Sequence, residues 1–208
     1  MSTNVGQNCG HRSSLGMDIL AAHLSAEDTF EDVLRRVPDG AWDKPSRCPG
    51  WTIRDVTGHV VWGRQLVAGL ARGEEPRSRE GAPGAEQPSM LLTDEPLTAW
   101  LMAREDVDAL LTPTNMRRPG PAFLRKDYPD LTLGQFLDNL TADLLAHSWD
   151  IGSMIGADLS VEPAALNRAR RAIEKGLPRR PGWFDKAHEP AEDATPFERF
   201  LAYTGRRR

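Results

Sequence analysis

Apolar residues recur along this chain at helical spacing, and no convincing run alternates with period two. The pattern predicts four long helices. The first, over residues 15–37, takes Leu15, Ile19, Leu20, Leu24, Val33, Leu34 and Val37 as its apolar positions, around a polar middle. The second, over 52–71, opens on a capping box of Thr52 and Asp55, with Trp51 and Val56 at the staple positions around it. Its stripe is Ile53, Val56, Val60, Val67 and Leu70. The third, over 94–111, starts at Thr93, Asp94, Glu95 and Pro96.

The fourth helix, over 133–155, carries the clearest pattern. Thr132 and Gln135 form a second capping box, and Leu131 with Phe136 a second staple. Leu133, Leu137, Leu140, Leu144, Ile151 and Met154 then follow steps of three and four, the seam of a helix inside a bundle. A shorter helix is expected over 162–175, after Ser160 and before Gly176, and one apolar turn over 197–203. Gly- and Pro-rich stretches at 73–88, 113–129 and 177–196 read as loops. The sum is an all-α fold: a disordered segment 1–14, a four-helix bundle with an added short helix over 15–176, and an irregular tail, 177–208, packed on it.

Composition narrows the partners. A chain of 208 residues favours one domain. Its net charge of −4 argues against nucleic acid, whose binding shows as a basic surplus. Cys9 and Cys48 are too few for a disulfide framework or a cysteine-rich zinc site. No apolar run approaches the roughly 20 residues of a membrane helix, and the first residues lack a signal-peptide core. The expectation is a soluble, reduced, cytoplasmic protein, with neither membrane nor nucleic acid as partner.

Chemistry enters where the seam breaks. His147 takes the slot between Leu144 and Ile151, and Asp143 lies one turn earlier on the same face. His59 borders the stripe of the second helix. If the two helices pack together, His59, Asp143 and His147 converge as three metal ligands with an open position for water or substrate. Asp143 and His147 could equally be an internal ion pair, since an unpaired charge on an apolar face is costly. Asp55 reads as a capping residue before a partner for His59. Asp150 is either a partner of His147 or solvent-facing. Cys48, at a Pro-Gly turn, reads as a half-buried thiol or a reactive one. Trp51, Trp62, Trp100 and Trp149 read as core and rim aromatics. His11 and His188 read as solvated, and His23 has no clear place. No nucleophile elbow, phosphate loop or dinucleotide fingerprint is present.

Three blocks carry a resemblance. Residues 42–59 hold Cys48-Pro-Gly-Trp-Thr-Ile-Arg-Asp55 leading to His59; residues 143–151 read Asp-Leu-Leu-Ala-His-Ser-Trp-Asp-Ile; residues 193–206 run from Asp193 through Tyr-Thr-Gly to Arg206. Together they resemble the DinB/YfiT-like metal-binding bundles, in the actinobacterial branch with the mycothiol-dependent maleylpyruvate isomerase N-terminal domain. The resemblance implies a four-helix bundle, commonly dimeric, with zinc or another divalent ion held by His, Glu and His. Those positions fall on His59, Asp143 and His147, so this chain has Asp where the pattern has Glu, one methylene shorter. The separate C-terminal domain of the isomerase is not expected within this length.

The reading that follows is a metal-dependent thiol transferase or isomerase using mycothiol on a small electrophile. Asp143 and His147 are its catalytic candidates, and Arg54, Arg64 and Arg104 could take acidic groups of thiol or substrate unless they form salt bridges instead. The alternatives are a natural-product tailoring enzyme, with Asp143 and His147 as an acid/base pair, and a non-catalytic ligand-binding module.

Overall fold

Three threonines start helices in the same way. Thr52, Thr132 and Thr195 each accept the backbone N–H three residues on, while Asp55, Gln135 and Glu198 return a side-chain acceptor to the capping residue. Each box satisfies two of the orphan donors at a helix start, and losing a cap of this kind costs about 1 kcal/mol. Asp55 also accepts from the Ser89 hydroxyl and amide, which ties the loop after the second helix to that helix's first turn.

The computed structural model describes residues 7–74, 78–174 and 183–207, with side chains from Gly16 onward. Among these residues there are seven helices and no strand: α1 (Gln7–Leu34), α2 (Ile53–Arg72), α3 (Pro96–Asp108), α4 (Ala122–Arg125), α5 (Leu133–Ile155), α6 (Pro163–Glu174) and α7 (Pro196–Tyr203). The fold is all-α, a DinB-like helical bundle. α5 matches the range read from the pattern. α1 starts at Gln7, ahead of Leu15 and inside the 1–14 segment expected to be disordered, of which residues 1–6 lie outside the described part. The Gly176 stop after α6 and the first residues of the tail also lie outside it. No helix among the described residues is long and apolar enough to cross a membrane.

α5 is the central helix, packed against α1, α2 and α6, while α3 packs on α2 and α7 on α6. The apolar interior falls into two clusters. One gathers Phe30, Ile53, Trp100, Leu145, Ile151 and Phe200, the other Leu66, Val107, Leu133, Phe136 and Leu137. The chain passes from one to the other between Val61 and Trp62 on α2 and between Leu140 and Ala142 on α5. The buried polar side chains collect near that level: His59 and Arg64 on α2, Thr141 and His147 on α5, His23 and Glu27 on α1.

They form two separate groups. In the first, the wholly buried Glu27 pairs with Arg64, with His23 at 3.4 Å and with Arg104 at 3.6 Å. Arg64 also binds Asp108 at 2.7 Å, and Arg104 binds Glu31 at 2.8 Å. Burial raises the Glu27 carboxyl, but His23, Arg64 and Arg104 outweigh it and hold it below its ordinary value. This network clamps α1 to α2 and α3. It gives His23 its place, and it commits Arg64 and Arg104 to structure. The second group is the candidate site.

Candidate metal centre

His59 and His147 face each other from α2 and α5, ring centres 5.0 Å apart and nearly perpendicular. Both rings are almost fully buried. Asp143, partly open to a cavity, stands between them. Its Oδ2 lies 3.4 Å from His59 Nε2 and its Oδ1 3.4 Å from His147 Nε2. The helical spacing explains half of this, since residues 143 and 147 are stacked one turn apart. The packing of α2 on α5 supplies the rest.

The far nitrogen of each ring is engaged. His59 Nδ1 lies 2.7 Å from the Gly81 carbonyl oxygen, and His147 Nδ1 lies 2.9 Å from Asp150 Oδ2. Both partners are acceptors, so each Nδ1 donates and each Nε2 is left to face Asp143. Metal-binding histidines are oriented in this way. The Gly81 contact needs a glycine, because a methyl there would overlap Trp62 and Leu91.

Asp150 is buried and gathers donors: His147, the Cys48 thiol at 3.1 Å, and Arg206 through both Nε at 2.8 Å and Nη2 at 2.6 Å. Burial raises its carboxyl, but Arg206 and His147 overcome this and hold it well below the ordinary range. Asp143 is likewise raised by burial but brought far lower by His147 and His59. His147 is pushed down by burial, yet Asp143, Cys48 and Asp150 lift it well above the usual histidine value. Cys48 is moved up, chiefly by burial.

The donor set fits a divalent ion. The three ligand atoms lie within 4.8 Å of one another. Donors about 2.0–2.1 Å from a tetrahedral ion stand about 3.3 Å apart, and the Asp143 carboxylate sets one oxygen 3.4 Å from each histidine, Oδ2 toward His59 and Oδ1 toward His147. The shorter Asp thus stands between both histidines. The donors open into a cavity of about 580 Å³ walled by Trp51, Trp62, Phe136, Trp149, Trp183 and Phe184.

Of the residues singled out in the sequence, His59, Asp143 and His147 come together, and Asp150 proves to be the buried partner of His147. Arg54 and Arg64, expected to hold a cofactor, do not line the cavity. Arg54 pairs at the surface with Asp43 and Glu95, and Arg64 lies in the buried Glu27 network. The arginines at the cavity are Arg47, Arg206 and Arg207. Trp51 and Trp62 flank His59 at 5.2 and 6.3 Å, whereas Trp100 packs on Phe30 in the core. His188, read as solvated, has Nε2 2.6 Å from the Arg206 carbonyl. The side chain of His11 lies outside the described residues. Sequence reading missed Gly81, because a backbone carbonyl leaves no trace in residue type. It also missed the role of Arg206, because the short cluster Arg206–Arg208 in an acidic chain reads as a solubility or tail feature.

Two proteins of Mycobacterium tuberculosis, Rv0738 of strain H37Rv and MT0763 of strain CDC 1551, both described only as uncharacterized, are each 28% identical over 197 residues. The alignments cover 91% of this chain and 98% of each relative. No solved structure matches the chain. The model of one family matches residues 23–152, a span that includes all three candidate ligands, and the chain belongs to the mycothiol maleylpyruvate isomerase N-terminal domain family.

Proposed function

We propose that this protein is a metal-dependent transferase or isomerase that uses a low-molecular-weight thiol, mycothiol in kind, on a small electrophile. One observation carries the reading: two Nε2 atoms and a carboxylate meet at an aromatic-walled cavity, with each far nitrogen tied to an acceptor. His59, Asp143 and His147 would hold zinc or a similar ion. Such an ion supplies a position at which a thiol ionises near neutral pH, the thiolate being the reactive nucleophile. Trp51, Trp62 and Trp149 give the substrate flat apolar walls. Arg47, stacked 5.4 Å over Trp149, and the exposed Arg207 stand at the cavity to meet acidic groups of thiol or substrate. Membership of a mycothiol-related family supports the choice of thiol.

The test is metal analysis of the purified protein beside His147→Ala, together with turnover of an electrophile with and without mycothiol. Stoichiometric metal in the wild type, its loss in the variant and thiol-dependent turnover are the expected results. A wild-type protein that takes up no divalent ion overturns the proposal.

A second reading has its own support. Asp143 and His147 both line the cavity, 3.4 Å apart, and could serve there as an acid/base pair without a thiol, as a tailoring reaction needs. Thiol-independent turnover that is lost in Asp143→Asn selects it.

A further inference from the structure

We propose that Arg206 is a positioning residue of the metal centre. Through Asp150 it fixes the His147 ring so that Nε2, and not Nδ1, faces His59 and Asp143. The inference rests on the metal-site reading above and extends it to the C-terminal segment, 56 residues beyond Asp150.

The local structure is built to deliver this side chain. α7 ends in a Schellman motif: Gly205 N–H donates to Ala202 and Arg206 N–H to Leu201. Gly205 takes the left-handed conformation at φ +84, and a methyl there would overlap Asp185. The turn reverses the chain toward α5. Phe184 lies under the guanidinium at 5.6 Å, and His188 donates to the Arg206 carbonyl. Phe200, Leu201 and Ala202 anchor α7 by burial.

The contacts of Arg206 exclude a simpler role. Nε and Nη2 both go to Asp150, and Nη1 points at the Thr204 carbonyl oxygen at 3.4 Å. The side chain is 13% exposed, so little of it is offered to an anion in the cavity. The fork instead sets the plane of the Asp150 carboxylate, as a two-pronged arginine pair does. With that plane set, Oδ2 accepts from His147 Nδ1. The Arg47 amide donates to the Asp150 carbonyl, so the Cys48 turn is pinned to the same residue. Asp150 thus joins the Cys48 turn, α5 and the tail around one imidazole.

The experiment titrates metal-free wild type, Arg206→Ala, Arg206→Lys, Asp150→Ala and the Arg206→Ala/Asp150→Ala double variant with cobalt(II). Circular dichroism checks that each is folded. NMR follows the His147 Nδ1 proton in the metal-free proteins. Loss of an outer partner of a metal histidine typically weakens metal binding 10–100-fold. A loss of about that size is expected in Arg206→Ala, with partial recovery in Arg206→Lys and no further loss when Arg206→Ala is added to Asp150→Ala. The Nδ1 proton should be protected from exchange in wild type and lose that protection in Arg206→Ala. Wild-type affinity in Arg206→Ala, or losses that multiply independently in the double variant, overturns the inference. If wild type itself binds no cobalt, the metal reading fails, and the Nδ1 proton alone decides: unchanged protection in Arg206→Ala overturns the positioning role.

Discussion

Asp143 Oδ1 stands 3.4 Å from His147 Nε2, one turn along α5, and each group stabilises the charged form of the other. In metal-free protein this pair makes stability depend on pH in two directions. His147 is raised above its ordinary 6.5, so its contribution is full below pH 6.5 and is lost as pH climbs through the folded-state value. Asp143 is depressed below 3.8, so its contribution is full above that value and is lost as pH falls through the lower folded-state one. Both are fully present between about pH 4 and 6.5. A metal ion needs an unprotonated His147, and its affinity runs the other way, rising as pH passes 6.5. From pH 6.5 to 8, calorimetry of metal-free protein should show wild type losing stability relative to His147→Ala, while zinc affinity of wild type increases. An affinity flat across that interval contradicts the assignment.

Arg64 separates structural from binding roles. Removing one partner of a buried ion pair leaves the other charge uncompensated and costs about 3–5 kcal/mol. Arg64→Ala should lose about that much in urea unfolding, because Glu27 stays wholly buried. Metal content and the KM for thiol should not change. A raised KM with little loss of stability would return Arg64 to the binding role first expected of it.

Cys48 lines the cavity, yet burial pushes its thiol up, and its proton is donated to Asp150. The thiolate is the reactive form. Alkylation by iodoacetamide at pH 8 should therefore be slower than for a small free thiol and should accelerate at higher pH. Cys48→Ser keeps a donor toward Asp150 and should retain full metal binding. Rapid alkylation at neutral pH would show that Cys48 is an activated nucleophile.

How much of this was legible in the sequence follows from the range of each interaction. Helix α5 and the capping boxes at Thr52 and Thr132 rest on residues three or four apart and are read from local pattern, whereas the Thr195 box, on the same scale, is not. Asp143 and His147 share that scale, and His59 could be added because it borders the stripe of a helix expected to pack against theirs. Arg64 could be read as a binding arginine or as a salt-bridge partner because Glu27 and Asp108, which pair with it, come from two other helices. Asp150 could face solvent or His147, and Arg206, far along the chain, is part of what settles it inward. These are products of tertiary packing, which residue spacing does not encode.

The loop before α3 provides the remaining test. Gly81 presses against Trp62 so closely that only a hydrogen fits, and this brings its carbonyl 2.7 Å from His59 Nδ1. Adding a methyl must lift the loop or displace Trp62, at the 1–3 kcal/mol typical of overpacking. It also takes the acceptor away from His59. Gly81→Ala should therefore weaken zinc binding about 10–100-fold, as loss of an outer partner does. Gly40→Ala is the control, since a methyl at Gly40 meets nothing within 4 Å. Chelator competition should find Gly40→Ala equal to wild type and Gly81→Ala well below it. Equal affinities for all three proteins would mean that the Gly81 carbonyl does not hold the His59 ring in its binding orientation.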